Sequence, residues 1–137
     1  MRLKSIILGS VAAGALLVAG GTALASSSAA GGDTPQKVCG PDFQVKRSAK
    51  FAGATAYLLY NAGTGSACAV TIKTADTGKR TKIWSALDVK DAGVVKNEEL
   101  TVDHTVPVYH YVPAGALVKF SGGTAAASSG GGYEKIR

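Results

Sequence analysis

Few side chains in this sequence have catalytic potential, and no motif brings them together. The ingredients of a Ser/His/Asp hydrolase are present as His104, His110, Asp88, Asp103 and many serines. Such a site needs a nucleophile beside a base that a carboxylate orients, and the G-x-S-x-G turn that presents a serine in one hydrolase fold is absent from the sequence. We therefore predict that the protein is not an enzyme and has no catalytic residues.

The histidines are also the first residues to consider for a metal. His104 and His110 are six residues apart and could share a face of a strand, but a metal site needs at least a third ligand. Asp103 would point away from His104 on an extended chain. Glu98 and Glu99 are adjacent in a polar stretch, and we interpret them as solvated. We predict no metal site and no cofactor, and the sequence assigns no function to either histidine.

Aromatic residues offer a second kind of chemistry, which is binding. Trp84 in KIWSALDV and Tyr109 and Tyr111 in VPVYHYV alternate with aliphatic residues along extended segments. If the aliphatic faces form the core, these three rings form a partly exposed patch of the kind that contacts glycans or partner proteins. The alternative is a sheet that is buried on both sides, or a face used for self-association.

The elements that would position these rings are strands, because apolar residues recur with a period of two. Strands are predicted at 43–46, 55–61, 67–74, 82–89, 106–112 and 116–121, with a weaker one near 100–103. Val106, Val108 and Val112 share one predicted face, and Pro107 marks an edge strand or a bulge. Glycine and aspartate lie in the turns between strands. The prediction is an all-β fold: one small antiparallel β-sandwich or barrel.

The first residues indicate export. Arg2 and Lys4 precede an uncharged apolar run, and Ala23-Leu24-Ala25 provides small residues for a signal peptidase, so 1–25 is predicted to be a signal peptide. A retained anchor is the alternative, but the run is short and rich in glycine against the roughly 20 apolar residues of a membrane span. We predict a flexible leader at 26–37, the β-domain at 38–123 and a low-complexity C-terminal tail at 124–137.

Two cysteines, Cys39 and Cys68, are present. In the oxidising compartment of an exported protein they predict one disulfide, which would stabilise a small domain. Two separate thiols or a metal pair are the alternatives, and a zinc site is disfavoured because the cysteines lack close spacing.

The charge balance points to an anionic partner or to none. The formal net charge is +6, and removal of Arg2 and Lys4 leaves 13 basic against 9 acidic residues, a net charge of +4. Basic residues cluster near 46–50 and 79–82. They form either a solvated rim or a surface facing anionic cell-wall polymer. Nucleic acid is not an expected partner, because aromatic and basic residues do not interleave along a strand.

Several short motifs resemble the spore-associated protein A family, small exported proteins of filamentous, sporulating actinobacteria. They are Cys39-Gly40, Tyr60-Asn61 before a turn, Cys68 opening a V-T-I-K strand, and the closing VPVYHYVPAGALVKFSGG. The resemblance covers about 39–123, although the further cysteine of the family pattern is absent near Leu117. It implies a secreted, spore- or envelope-associated protein without catalytic activity. A secreted glycan-binding module or a protease-inhibitor-like protein is the alternative.

Overall fold

The computed structural model describes residues 33–137, so the predicted signal peptide and residues 26–32 of the predicted leader lie outside the described residues. The described part is an all-β sandwich with one disulfide, as predicted. Its elements are α1 (Pro35–Cys39), β1 (Gln44–Phe51), β2 (Ala54–Asn61), β3 (Ser66–Lys73), β4 (Thr81–Val89), β5 (Gly93–Thr101), β6 (Val108–Tyr111), β7 (Leu117–Thr124) and β8 (Ser128–Lys135). No helix within 33–137 is long and apolar enough to cross a membrane.

The eight strands form two antiparallel four-stranded sheets rather than a closed barrel. Sheet A has the order β1-β2-β3-β6, and sheet B has the order β5-β4-β7-β8. β2 packs against β7, β3 against β4 and β1 against β8, so the sheets face each other strand by strand. Each sheet therefore has an inner face toward its partner and an outer face.

The β2–β3 hairpin shows how the sequence sets the register. The Asn61 side-chain Oδ1 accepts hydrogen bonds from Gly63 N (2.9 Å) and Thr64 N (3.3 Å), which makes a local turn. Gly65 follows with a φ of +75°, and a Cβ there would lie 2.8 Å from the Tyr111 ring. Both the backbone conformation and the close ring require glycine at this position.

The main core lies between the sheets. Alternate residues of the central strands point into it, and its buried members include Leu58, Leu87, Val118 and Phe120. Three hydroxyl side chains, those of Thr71, Ser85 and Thr105, are also fully buried there. They are hydrogen-bonded: Thr71 Oγ1 donates to Trp84 O at 2.9 Å, and the Ser85 and Thr105 hydroxyls lie 3.2 Å apart. These three buried hydroxyl groups are thus satisfied, as is usual for buried polar groups.

A second hydrophobic cluster lies outside sheet A. The segment that contains α1 covers the outer face of β2 and β3, and the cluster comprises Cys39, Leu59, Cys68, Val70 and Ile72, with Val38, Phe43 and Tyr57 packed against it. The disulfide joins Cys39 to Cys68 in this cluster, so that prediction is confirmed. Sheet A is consequently buried on both sides over its central strands.

The C-terminal boundary predicted at 123 is too early. Residues 128–135 form β8, which pairs with β7, and Ile136 packs against the main core. The GGG run predicts a tail because it lacks large side chains. A glycine-rich strand nevertheless fits here, because neighbouring side chains approach its backbone closely. A Cβ at Gly131 would lie 2.1 Å from the Arg47 guanidinium. The leader prediction also ends too late, since α1 begins at Pro35.

The region before β6 also differs from the prediction. Glu98 and Glu99 belong to β5, a nine-residue strand that extends well beyond the weak strand predicted near 100–103. Val106 does not join Val108 and Val112 in the core; it is 57% exposed, whereas the other two are buried. The chain crosses between the sheets at this point, and β6 begins only after Pro107.

Candidate functional site

The three aromatic residues predicted as a binding patch do not share a surface. Trp84 lies on the outer face of sheet B, whereas Tyr109 and Tyr111 lie on the outer face of sheet A. Within β4 and β6 these rings lie on the face opposite the buried aliphatic residues, as predicted, but the two strands belong to different sheets, so the rings lie on opposite sides of the sandwich. Each ring therefore has to be considered with its own neighbours.

Tyr109 belongs to the packing of the N-terminal segment. Its ring lies 5.6 Å from the Phe43 ring between centroids, and its hydroxyl donates to Cys39 O at 2.8 Å. Although the residue is 44% exposed, both ends of its side chain are held by the segment that covers sheet A. Its contacts indicate a structural role at the disulfide.

Tyr111 is held at the opposite end of β6. The Arg137 guanidinium lies 5.7 Å from its ring centroid, and Arg137 Nη1 donates to Tyr111 Oη at 3.2 Å and to Val112 O at 2.6 Å. The bond to Tyr111 is the main reason that the pKa of Arg137 is raised. Tyr111 thus anchors the end of the chain that follows β8.

Trp84 has a different setting, because its ring lies against Gly123 of the neighbouring strand β7. A Cβ built at Gly123 would be 2.4 Å from Trp84 Nε1, which shows how closely the indole approaches the backbone of β7. Lys96 Nζ lies 4.9 Å from the indole centroid. The ring is half-buried by these neighbours. Toward β7 and β8 the nearby outer-face residues are small (Ser121, Gly123, Ser128 and Gly130), whereas Glu98 lies opposite Trp84 on β5.

A second ring on this side, Tyr133, was not predicted as a site residue. It lies in β8, in the segment interpreted as a tail, and it is 41% exposed. Lys90 Nζ and Lys119 Nζ lie 5.7 and 5.6 Å from its centroid, and its hydroxyl donates to Asp88 Oδ2 at 2.5 Å. The hydrogen bond to Asp88 raises the pKa of Tyr133, because the phenol can donate this bond only while it keeps its proton.

Lysines surround both rings. We call this surface the aromatic–lysine face: Trp84, Tyr133, Lys82, Lys90, Lys96, Lys119 and Lys135. Asp88 of this face is bonded to Tyr133, and Glu98 lies 3.2 Å from Lys82 Nζ and 4.0 Å from Lys96 Nζ. A third carboxylate, that of Asp91, is near Tyr133 and adds to the rise of its pKa. Trp84 and Asp88 are four residues apart on β4, about 13 Å along the strand. The face thus carries two aromatic rings and an excess of positive charge within about 13 Å along the strand.

Neither hydrophobic cluster of the described part packs on the outer face of sheet B. Of the two hydrophobic clusters formed within 33–137, one lies between the sheets and the other outside sheet A, and neither includes Trp84 or Tyr133. The contrast with Tyr109 is direct, because that ring is part of the packing around the disulfide. Trp84 and Tyr133 are available for contacts with another molecule.

The histidines are placed apart from this face. His104 is half-buried, and its backbone forms an isolated antiparallel β-bridge with Ile72. Its Nε2 lies 3.8 Å from Asp33 Oδ2. His110 lies in β6, with Nδ1 2.6 Å from Tyr111 O. Within residues 33–137, no group of three or more His, Cys, Asp or Glu side chains could hold a metal ion.

A cleft lies at the β2–β3 turn. It has a volume of about 820 Å³ and is lined by residues of β1, the turn and the C-terminal end, among them Asp42, Lys46, Tyr60 and Arg137. Its charges are mixed, and the Arg137 Nη1 bonds to β6 and Val112 already use part of its guanidinium. Neither a protein-family model, nor a curated protein, nor a solved structure matches this chain.

Proposed function

We propose that the protein is an exported, non-enzymatic β-sandwich that associates with an anionic polymer of the spore or cell envelope through its aromatic–lysine face. The observation that carries this proposal is the arrangement of five lysines around Trp84 and Tyr133 on a face that neither hydrophobic cluster covers. Two carboxylates of that face are already engaged, Asp88 with Tyr133 and Glu98 with lysines. The remaining character of the face is cationic and aromatic.

This combination suits a charged glycan-type polymer. Sugar rings or other flat groups can stack on Trp84 and Tyr133, while phosphate or carboxylate groups are attracted to the lysines. At physiological salt the attraction acts only within about 8 Å, so the charges must lie beside the rings to contribute. Lys90, Lys96 and Lys119 meet that condition, because each lies within 6 Å of a ring centroid.

The proposed location is supported by three separate features. The Cys39–Cys68 disulfide suits an oxidising compartment. The N-terminal sequence has the pattern of a signal peptide. The resemblance of the cysteine and strand motifs to the spore-associated protein A family points to spores or the envelope.

The test is sedimentation of the purified, oxidised protein with spore or cell-wall material over a series of salt concentrations. We expect binding at low salt that weakens as salt rises. The double variant Lys90→Ala/Lys119→Ala removes the two cations at Tyr133; with about 1 kcal/mol per lysine near an anionic surface, binding should weaken about thirtyfold.

The matched control is Lys46→Ala/Lys50→Ala, which removes the same charge from exposed positions of β1 in sheet A. Its binding should remain close to that of the unchanged protein. Equal loss in both double variants would indicate a general charge effect and reject the aromatic–lysine face as the site. A protein that fails to sediment at low salt would reject surface association itself.

A neutral glycan is the second candidate ligand, and the placement of Trp84 favours testing it. Trp84 is the single tryptophan of the chain, so the intrinsic indole fluorescence reports on this face alone. Quenching by neutral oligosaccharides that persists at high salt would favour a glycan-binding module. Quenching by acidic oligosaccharides that high salt abolishes would favour the anionic polymer. The inhibitor-like alternative has less support, because the disulfide lies in the buried cluster on sheet A.

A further inference from the structure

Strand β5 is an edge of sheet B with an unpaired side. It pairs with β4 and is the terminal strand in the order β5-β4-β7-β8. Within residues 33–137, the backbone of 94–100 makes no backbone hydrogen bond other than those to β4. An edge of this length offers a row of N–H and C=O groups to another strand.

The hydrogen-bond alternation identifies which residues turn those groups outward. Lys90 N donates to Leu117 O, so the even-numbered residues of β4 bond to β7 and the odd-numbered ones bond to β5. In the β4–β5 register, odd residues of β4 are opposite odd residues of β5. The even residues of β5 therefore present their N–H and C=O groups to the free edge: 94, 96, 98 and 100.

The side chains of these same four residues all lie on the outer face of sheet B. Val94 and Leu100 are 64% and 59% exposed, the two most exposed large apolar side chains of the described residues. Between them are Lys96 and Glu98, which are also exposed. Along the edge the order is apolar, positive, negative, apolar.

This order is complementary to itself when the strand is reversed. We propose that two copies of the chain pair antiparallel through β5, about a two-fold axis at Asn97. Val94 of one copy then lies opposite Leu100 of the second copy, and Lys96 lies opposite Glu98 of the second copy. Because the operation is two-fold, each of these contacts occurs twice. All four cross-strand pairs join residues whose backbone groups face the free edge.

The charges also disfavour the neighbouring registers. A shift that centres the pairing on residue 96 places Lys96 opposite its own copy, and one that centres it on residue 98 does the same for Glu98. Like charges directly opposite each other destabilise a strand pair. A shift that makes an even residue face an odd one leaves outward backbone groups without partners, since the odd residues are bonded to β4. Among these registers, the pairing centred on Asn97 avoids both faults.

The inner side of the edge is compatible with this pairing. Glu99 points to that side, but its Oε2 already accepts a hydrogen bond from Val106 N at 2.8 Å and contacts the Asn97 amide. Its charge is therefore not left unpartnered by the second strand. The product is a continuous eight-stranded sheet that places the two aromatic–lysine faces on the same side.

The first experiment measures the association of the purified, oxidised protein by analytical ultracentrifugation over a concentration series. We expect a monomer–dimer equilibrium. Lys96→Glu places a carboxylate opposite Glu98 at both ends of the pairing and should weaken the dimer about tenfold or more. The charge-exchanged variant Lys96→Glu/Glu98→Lys restores the opposite-charge pairs and should restore the dimer.

Two outcomes of that experiment would overturn the proposal. One is a protein that stays monomeric at every concentration. The other is a dimer whose dissociation constant is the same in the unchanged protein and in both variants. Circular dichroism of each variant checks that the β-fold is kept, which is expected because exposed ion pairs contribute little to stability. This experiment needs no polymer, so its result and that of the sedimentation test are independent.

The second experiment tests the register by cross-linking. Asn97→Cys places two thiols at the axis, in a pair that is not hydrogen-bonded and has Cα atoms about 4.5 Å apart, within the reach of a disulfide. Leu100→Cys is the control, because its two copies would be about 20 Å apart along the strands. We expect a disulfide-linked dimer under mild oxidation for Asn97→Cys only. Cross-linking of both variants, or of Leu100→Cys alone, would reject this register.

Discussion

The two sheets of this protein differ in what lies on their outer faces. On sheet A, the segment around α1 forms a second hydrophobic cluster, fixed by the Cys39–Cys68 disulfide. On sheet B, neither hydrophobic cluster of the described residues includes an outer-face side chain, and lysines surround Trp84 and Tyr133. The same alternation of aromatic and aliphatic residues thus supports internal packing on one sheet and an accessible surface on the other.

The difference separates what stabilises the fold from what is available for binding. Tyr109 is more than two-fifths exposed, yet its ring and hydroxyl contact the segment that carries the disulfide. Trp84 is half-buried, yet what shields it is a lysine side chain and a glycine backbone. Ranked by exposed fraction alone, Tyr109 would be the better candidate for binding, although its contacts are structural. The identity of their neighbours is the better criterion.

Removal of the disulfide should have the largest effect on stability, and it acts on sheet A. The bridge joins residues 29 apart in sequence, and in the chain-entropy model a loop of about 30 residues contributes about 3 to 4 kcal/mol to the free energy of unfolding. Cys39→Ser/Cys68→Ser should lose about that much. It should also loosen the segment over Leu59 and Val70.

Urea unfolding of the variant beside the unchanged protein measures the loss. Reduction of the unchanged protein with dithiothreitol in the unfolding experiment provides the comparison without substitution. A change below about 1 kcal/mol in both would mean that the outer cluster holds without its covalent link.

A glycine pair on β7 compares the two faces of sheet B directly. A Cβ at Gly122 would lie 2.1 Å from Thr71 Oγ1 and 2.9 Å from Ala56 Cβ, in the packed space between the sheets. Gly122→Ala should therefore lower the free energy of unfolding by about 1 to 3 kcal/mol, the usual cost of overpacking a core. At Gly123 the two nearest atoms belong to the Trp84 indole, and Ser128 Cβ follows at 2.9 Å, all on the outer face.

Gly123→Ala should cost less, because the indole can move away from the sheet toward solvent. The expected signal is instead a shift of the Trp84 fluorescence maximum to longer wavelength. Chemical denaturation and emission spectra of both variants provide the measurement. Equal losses of stability would show that the indole is as confined as the core and would weaken its assignment as a binding group.

Much of the fold could be predicted because it depends on local pattern. The period of two, the Asn61 turn and the pair of cysteines each act over a few residues or through one chemical rule. Residue alternation also placed Ile83, Leu87 and Val89 correctly on one buried face. These features follow from strand geometry and from the chemistry of thiols in an oxidising compartment.

The errors arose where long-range pairing decides the structure. Glu98 and Glu99 have low strand propensity, but β4 supplies hydrogen bonds along the whole of β5. The run 128–135 has few apolar side chains, yet it completes the edge of sheet B beside β7. Tyr133 was missed for that reason. The separation of Trp84 from Tyr109 depends on which strands pair, and this is not encoded in any single segment.

The smallest expected effect compares two phenols, one on each sheet. Tyr109→Phe removes the hydrogen bond to Cys39 O, and should lower the free energy of unfolding by about 1 kcal/mol, since the carbonyl at the segment boundary loses its donor. Tyr133→Phe removes the bond to Asp88 at an exposed site, where water can replace the phenol. We expect its change in stability to be smaller than that of Tyr109→Phe.

Function should respond in the opposite order. Tyr133→Phe frees the Asp88 carboxylate beside Lys90 and Lys119, so polymer binding should weaken while stability stays nearly constant. Tyr109→Phe should leave binding unchanged, because its hydroxyl lies on the other sheet. Thermal unfolding and sedimentation of the two variants, each differing from the unchanged protein by one oxygen atom, test this inversion. If Tyr109→Phe weakens binding more than Tyr133→Phe, the binding surface lies on sheet A.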